Sequence, residues 1–371
     1  MANGIARYAH IDAMRAIAVL LVIWAHTSEV FVPIALPSGQ DRLYDVAHFF
    51  DFGRIGVVMF FIISGFVIPA SLRGPRVAGC RQFLIRRLFR LYPLYWLSIP
   101  FGLLTTWWIW GKEISLQAIL WNLSMVQEAA GYPSIQGLYW TLQTELVFYG
   151  LCMALFALGL LGSTVALSLV VVLLGTAGAL VWGAGALGVA LPQGVAQAAV
   201  PLVVHLSLMF WGALVRHAFE RARLPAAVWL VLVGYCLAWL ALGMGVAVWH
   251  LRGGDNEALF RAFVPCAIGI ALFVLFAAWL KLRAAGLVWL GGISYSLYLF
   301  HPVAQYGLSW MVQTTDLAWV KGWTTGAYML VATLLAVGVS ALTYRFVELP
   351  FQALGGRLAK GSMPQRLQQP V

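Results

Sequence analysis

Two ionisable residues, Arg15 and His26, interrupt the long apolar stretch from Asp12 to Glu29. A charged side chain at membrane depth costs about 2.5 kcal/mol or more to insert, so such residues usually mark functional sites. The two lie eleven residues apart, which on an α-helix returns to within about 20° of the same face and separates them by roughly 16 Å. The sequence therefore predicts one helix face that connects a cation near its start with an imidazole deep inside.

Two carboxylates are candidate partners of His26. Glu29 lies one helical turn beyond it, and Glu145 lies in another apolar stretch at a similar predicted depth. A carboxylate fixes the tautomer of a histidine and stabilises its imidazolium form, so such a pair suits a general base. The same pair suits a proton relay in a transporter, and a buried histidine can also be purely structural. These residues alone are therefore compatible with either an enzyme or a transporter.

A basic cluster, Arg86, Arg87 and Arg90, stands just before a further apolar stretch. On a helix Arg87 and Arg90 lie on one side, and their forked guanidinium groups suit phosphate oxygens. Tyr92 is then placed either to stack on a nucleotide base or to mark the membrane interface. The alternative interpretation of the cluster is ordinary anchoring by positive residues on the cytoplasmic side.

Polar residues also interrupt two other apolar stretches. Ser294, Tyr298 and His301 are spaced i, i+4 and i+7, which places them in one stripe of a helix. The stripe is either a set of substrate contacts or a polar seam between packed helices. Pro302 follows His301 and predicts a kink there. Ser64 precedes a glycine, a small pair that favours helix packing over substrate contact.

The composition places these residues in a membrane protein. Of 371 residues, 62% are hydrophobic and only 10% are charged, whereas roughly a quarter charged is usual in soluble domains. The net charge of +10 then reflects positive cytoplasmic loops, and nucleic-acid binding is not expected. The four cysteines show no metal-binding spacing, so we expect buried thiols and no metal site.

Apolar windows of roughly 20 residues predict about ten membrane-spanning helices. They cover residues 13–32, 53–71, 92–110, 138–158, 164–182, 196–215, 226–249, 259–280, 286–308 and 325–346. Arginine and lysine concentrate in alternate connections, which predicts that both termini are cytoplasmic. We therefore predict an all-α polytopic membrane protein, with one transmembrane domain over residues 1–350 and a short basic cytoplasmic tail over residues 351–371. His26, Glu145 and His301 then fall near one level, past the midplane toward the outer side.

Six motifs in order along almost the whole chain resemble the membrane-bound acyltransferase family 3, a group of polysaccharide and antibiotic O-acyltransferases. They are Asp12–Ala16 with His26, Gly56–Phe66, Arg87–Pro93, Trp140–Leu142 with Glu145 and Phe148–Tyr149, Ile293–Tyr298 with His301 and Pro302, and Phe346–Glu348. The chain departs from the family at Ala13, where glycine is frequent, and at Glu145, where many members carry paired acidic residues. The sequence shows no fused esterase-like (SGNH) domain, so we expect direct acylation of the acceptor.

The resemblance implies an O-acyltransferase of a bacterial inner membrane that uses an acyl-CoA, and acetyl-CoA is the expected donor. Its phosphates would bind from the cytoplasm at a group of basic and aromatic residues: Arg86, Arg87, Arg90, Tyr92 and also Arg15. The pantetheine arm would follow the face shared by Arg15 and His26.

The resemblance also implies roles for the remaining candidates. His26 would deprotonate the acceptor hydroxyl or carry the acyl group, with Glu145 and Arg15 as the other catalytic residues. The candidates for contacts with substrate or with the developing oxyanion are Ser64, Ser294, Tyr298, His301 and Glu29. The expected acceptor is a hydroxyl of an exopolysaccharide, a lipopolysaccharide or a lipid-linked sugar. The alternatives are a small metabolite or lipid as acceptor, or a proton-coupled transporter or flippase.

Overall fold

All regular elements in the described part of the chain are helices, as the sequence predicts. The computed structural model describes residues 9–35, 41–186, 193–221, 223–254, 256–316 and 319–361, with the backbone alone for residues 182–186 and 193–200. The α-helices are α1 (Ala9–Ala35), α2 (Arg42–Phe49), α3 (Phe52–Val67), α4 (Arg76–Gly102), α5 (Leu116–Asn122), α6 (Tyr139–Ala157), α7 (Thr164–Ala186), α8 (Gln193–Glu220), α9 (Ala226–Leu251), α10 (Glu257–Val274), α11 (Ala285–Gly292), α12 (Ser294–Thr314), α13 (Thr325–Thr343) and α14 (Leu349–Gly361).

Within those described ranges, eight helices are long and apolar enough to cross a membrane. A ninth span is added if the bent pair α11 and α12 crosses as one. These helices confirm that the chain is a polytopic, all-helical membrane protein. Helix α14 continues from α13 through a π-helical turn, Tyr344–Glu348. The predicted tail is therefore helical as far as Gly361, and its residues 362–371 lie outside the described residues.

The third predicted span, residues 92–110, is not among the candidate membrane helices. Helix α4 begins earlier, at Arg76, so its first half carries the arginine cluster. Its second half ends at Gly102 and gives way to a π-helical turn, Leu103–Trp107, and a 3₁₀ turn, Trp108–Trp110. This half holds aromatic residues and two prolines, and proline removes a hydrogen bond from the helical ladder.

The ninth predicted span breaks at a different place from the predicted kink. Helices α11 and α12 meet at an angle of 76°, with Ile293 between them, whereas Pro302 lies inside α12. The break follows two glycines at the end of α11, and a Cβ on Gly291 would lie 1.8 Å from the carbonyl oxygen of Asp12. Direct backbone contact with α1 therefore holds α11, and α12 continues in a new direction.

The chain divides into two compact units. The first unit comprises Met1–Gly56, Arg81–Gln143 and Leu280–Val371, and the second comprises Val57–Cys80 and Thr144–Trp279. In the first unit, α1 packs against α11, α12 and α13. One of its apolar clusters consists of Phe31, Leu308, Val312, Val320, Tyr328 and Ala332. Helix α1 is therefore held from several sides, which fixes the direction of its polar residues.

In the second unit, glycines bring two helices into backbone contact. A Cβ on Gly65 of α3 would lie 1.8 Å from the carbonyl oxygen of Met209, and one on Gly212 of α8 would lie 2.2 Å from that of Ile62. Small residues allow such close approach between helices in a membrane. The glycine after Ser64 thus serves helix packing, which was the favoured interpretation of that pair.

Between α4 and α6, residues 116–138 fold back along α4, and we call them the returning hairpin. Tyr92 donates a hydrogen bond to the Ser124 carbonyl oxygen at 2.9 Å, and the Trp96 indole donates to that of Leu123 at 3.0 Å. The fully buried Asn122 joins the two arms, because its amide donates to the carbonyls of Ala118 and Pro133 at 2.8 and 2.9 Å. The hairpin therefore fixes where α6 starts.

Candidate functional site

Helix α1 carries both Arg15 and His26 without interruption, as predicted. Arg15 lies near the start of the helix, with its Nη1 atom 3.5 Å from Oδ1 of Asp12. The rise of an α-helix separates Arg15 from His26 by roughly 16 Å. One end of the helix thus presents a guanidinium, and the other presents an imidazole.

His26 is oriented by the carboxylate one turn further along α1. Its Nδ1 atom lies 3.2 Å from Oε2 of Glu29, and a carboxylate can only accept, so Nδ1 carries the proton that it donates. The neutral ring therefore keeps its lone pair on Nε2. A histidine with Nδ1 tied to a carboxylate and Nε2 free to accept is set up as a general base.

A second imidazole, that of His301, lies against the first. The ring centroids of His26 and His301 are 5.6 Å apart, and the rings are inclined by 17°. The two residues are far apart in the sequence, and α1 and α12 bring them together inside the first unit. The structure thus joins two residues that the sequence singled out separately.

The proline after His301 sets the tautomer of that ring. Pro302 has no N–H, so the carbonyl of Tyr298, four residues earlier, receives no helical hydrogen bond from it. His301 takes the vacant place and donates from Nδ1 to the Tyr298 oxygen at 2.8 Å. Its Nε2 atom is then an acceptor, and it is buried with no hydrogen-bond partner in the described part of the chain.

The predicted stripe of α12 is buried along its whole length. Ser294 is 1% exposed and its hydroxyl makes no hydrogen bond to any described residue. The Tyr298 hydroxyl lies 2.9 Å from Oγ1 of Thr141 and 3.4 Å from the carbonyl oxygen of Leu138. Tyr298 is thus tied to the start of α6, whereas Ser294 keeps a hydroxyl proton available.

Two of the predicted donor-binding arginines act electrostatically on a buried carboxylate, Glu348, which the sequence analysis names only as the end of its last motif. Glu348 is 2% exposed, and it accepts hydrogen bonds from Ser296 at 2.8 Å and Gln352 at 2.9 Å. Arg90 and Arg15 are the cations that act electrostatically on this carboxylate. Arg15, from α1, and Arg90, from α4, therefore share one neighbourhood within the first unit.

The other two arginines of the basic cluster, Arg86 and Arg87, lie on α4 about one helical turn before Arg90. Arg86 is exposed, and Arg87 is half-buried with its guanidinium 5.3 Å from the centre of the Phe83 ring. Arg87 and Arg90 are thus the more sheltered members of the cluster, on the side that the sequence predicts. The Tyr92 hydroxyl bonds to the returning hairpin, and its ring makes a T-shaped contact with the Trp96 ring, with the centroids 5.3 Å apart. Stacking of Tyr92 on a nucleotide base stays a prediction.

Glu145 and Ser64 belong to the second unit. Glu145 is half-buried, and it accepts a hydrogen bond from the Tyr149 hydroxyl one turn further along α6. Ser64 is half-buried on α3, next to the glycine that contacts α8. The pairing of Glu145 with His26 stays a prediction, as does a substrate contact by Ser64.

Sequence reasoning gave no site role to two residues that a signal in the sequence identifies. Glu348 is an isolated acidic residue near the end of the last apolar stretch, the same signal that selected Glu145. Gln305 extends the stripe of α12 by one more turn beyond His301, and it is 2% exposed. No group of three or more potential metal ligands occurs among the residues that the structure describes.

The chain was compared with known proteins. A family model described as an acyltransferase domain matches residues 8–345. Nodulation protein 10 of Rhizobium leguminosarum bv. viciae is 25% identical over 376 residues, which cover 92% of this chain and 93% of that protein. No solved structure matches the chain.

Proposed function

Since this chain belongs to the acyltransferase domain family, and is therefore a membrane acyltransferase, we propose that it transfers an acetyl group from cytoplasmic acetyl-CoA to a sugar hydroxyl. The proposed acceptor is a glycan or lipid-linked sugar at a bacterial inner membrane. The family assignment favours this enzyme over the proton-coupled transporter that the histidine and carboxylates alone leave open. Acylation of a small metabolite or lipid would use the same residues.

The single observation that carries the proposal is the arrangement along α1. Arg15 shares one neighbourhood with Arg90 and Glu348, and His26 is oriented by Glu29. Guanidinium groups suit the phosphates of CoA, with Arg86 and Arg87 on the same helix as Arg90. The separation of roughly 16 Å between Arg15 and His26 matches about four to five extended residues of chain. An extended pantetheine arm, with thirteen chain atoms from sulfur to phosphate oxygen, has a comparable length.

The proposed reaction uses the free Nε2 atom of His26. The acceptor hydroxyl gives its proton to Nε2 while its oxygen bonds to the thioester carbonyl carbon. The C–S bond then breaks, and the imidazolium returns the proton to the CoA thiolate. Glu29 stabilises the imidazolium between these steps, and Ser294 or Tyr298 would donate to the oxyanion. A route through an acyl-imidazole on His26 uses the same atoms in two transfers.

The test compares His26→Gln with the wild type in inside-out vesicles supplied with acetyl-CoA labelled in the acetyl group. We expect label on extracted glycolipid in the wild type and a loss of about 100-fold or more in the variant, since it lacks the general base. His48→Gln is the matched control, because His48 is exposed on α2, and it should keep the wild-type rate. Transfer by His26→Gln at the wild-type rate would remove His26 from the mechanism.

A further inference from the structure

Two hydrogen-bond acceptors lie buried and unpartnered on successive turns of α12. They are Nε2 of His301, which is 1% exposed, and Oε1 of Gln305, which is 2% exposed. Neither atom has a hydrogen-bond partner among the residues that the structure describes. Residues four apart on a helix lie on one face, roughly 6 Å apart along the axis. Because buried polar atoms are nearly always hydrogen-bonded, two such atoms on one face indicate a place where a ligand supplies the donors.

Both atoms are hydrogen-bond acceptors. His301 uses its Nδ1 proton on the Tyr298 carbonyl, so neutral His301 can only accept at Nε2. The Oε1 atom of Gln305 is an amide oxygen, which can only accept. Both sites therefore call for a donor, and neither can serve an incoming carbonyl or phosphate oxygen.

The two hydrogen-bond acceptor atoms lie next to the proposed reaction centre, on the side that faces away from Arg15. The rings of His301 and His26 are stacked, and Gln305 lies one turn beyond His301 along α12. Glu29 lies one turn beyond His26 along α1, and its charge acts on Tyr306, the residue that follows Gln305. All these side chains belong to the first unit. Acceptor atoms and a negative charge thus gather at the end of the site opposite the donor arginines.

We propose that His301 and Gln305 form an acceptor subsite, which binds the hydroxyl groups next to the one that reacts at His26. The subsite selects a neutral polyhydroxyl compound with hydroxyls on adjacent carbons. This inference rests on the proposed function and names the substrate class of that same site.

The number of protons on a hydroxyl group requires a second, adjacent hydroxyl. A hydroxyl has one proton, and the reacting hydroxyl gives its proton to Nε2 of His26, so it has none left for His301 or Gln305. A neighbouring hydroxyl must therefore donate the hydrogen bond to His301, and a third hydroxyl can donate one to Gln305. A sugar substrate with a carboxylate or phosphate in place of these hydroxyls would face two hydrogen-bond acceptors and the negative charge of Glu29. Its binding is therefore disfavoured.

During transfer these two side chains change neither protonation nor covalent state. The hydroxyl proton moves to His26, the O–C bond to the acyl group forms, the C–S bond breaks, and the thiolate takes the proton back. His301 and Gln305 hold the neighbouring hydroxyls throughout, so they are binding residues. When water replaces the sugar, the same steps give acetate without using the subsite.

The test measures how the acetyl group partitions between acceptors. Labelled acetyl-CoA is supplied to purified protein with 1,2-propanediol or 1-propanol at equal concentration, and ester and free acetate are counted. We expect the wild type to acylate the diol in preference to the mono-alcohol. Gln305→Leu should lower the ratio of diol ester to acetate by about tenfold, the value of one hydrogen bond. His301→Phe keeps a ring against His26 and should remove the preference for the diol.

Gln313→Leu is the matched control, because Gln313 lies on the same helix and bonds to Ser309. It should keep the wild-type ratio. Equal acylation of diol and mono-alcohol by the wild type would overturn the subsite, as would an unchanged ratio in Gln305→Leu. Both results leave acetate release, and with it the proposed function, in place. Failure of the wild type to consume acetyl-CoA at all would instead overturn the proposed function.

Discussion

Pro302 shows how one residue without an N–H can set the chemistry of its neighbour. The vacant carbonyl of Tyr298 accepts the Nδ1 proton of His301 at 2.8 Å, and this leaves Nε2 as an acceptor. Proline in a helix normally produces a kink or an unsatisfied carbonyl. Here the side chain of the preceding residue satisfies the carbonyl, so the helix continues to Thr314. The dipeptide therefore fixes a tautomer, where the sequence alone predicts a bend.

Glu348 shows how burial can give a residue its role. A buried carboxylate is costly unless cations and hydrogen-bond donors surround it. Ser296 and Gln352 donate to it, and Arg90 and Arg15 supply the compensating charge. The charge of the carboxylate and those of the two arginines thus act on one another within the first unit, close to the proposed phosphate site.

Arg90→Lys tests this site at the scale of one side chain. An ammonium group keeps the charge but cannot make the forked contact to phosphate. We expect the KM for acetyl-CoA to rise about tenfold, equivalent to one charge-assisted hydrogen bond, while kcat stays within a few-fold. Steady-state kinetics with purified protein measure both constants. Arg357→Lys, at an exposed position of α14, is the control, and an equal effect there would show that Arg90 has no special role.

At the scale of elements, the returning hairpin positions the start of α6. Tyr92, Tyr95 and Trp96 of α4 all donate to carbonyls of residues 122–124. Leu138, at the other end of the hairpin, and Thr141, at the start of α6, contact the Tyr298 hydroxyl. The hairpin therefore links α4, which carries Arg90, to α12, which carries His301. Displacement of this element would disturb both ends of the proposed site.

Asn122→Ala should loosen the hairpin. The side chain makes hydrogen bonds to the carbonyls of Ala118 and Pro133 and accepts one from the Ile135 amide. Since its removal leaves buried partners unsatisfied, we expect a loss of about 2 kcal/mol or more in the free energy of unfolding. The measurement is the thermal midpoint of the protein in detergent. Gln117→Ala, on the exposed side of α5, should change the free energy by less than about 0.5 kcal/mol, and an equal shift in both would contradict the prediction.

At the scale of the molecule, the number of crossings decides on which side each terminus lies. Eight helices of the described chain qualify as spans, and the bent pair α11 and α12 gives up to nine. An odd number of crossings would place the two ends on opposite sides. The positive-inside pattern predicts both ends in the cytoplasm. If the bent pair crosses as one span, this requires a tenth crossing, for which the aromatic second half of α4 is the candidate.

Reporter fusions test that topology. Fusions at Lys112, after α4, and at Gly361, after α14, would each carry alkaline phosphatase or green fluorescent protein. If α4 crosses, the phosphatase should be active at Lys112 and the fluorescent protein should fluoresce at Gly361, because each reporter works on one side of the membrane only. Fluorescence at both positions would show that the second half of α4 does not cross.

The sequence by itself determined the features that depend on local composition and helical period. It identified the membrane class, the helix that carries Arg15 and His26, and the buried stripe of Ser294, Tyr298 and His301. Hydrophobic length and the period of an α-helix are properties of a few consecutive residues, so these predictions hold without knowledge of packing.

Only the tertiary structure decided which distant residues meet. The stacking of His26 on His301, the burial of Glu348 beside Arg90 and the break at Ile293 all result from contacts between helices far apart in the sequence. Such contacts depend on where small residues such as Gly291 allow backbones to touch. The spacing along one helix carries no information about the residue that lies opposite on another helix, which is why the partners of His301 and Arg90 emerged only from the fold.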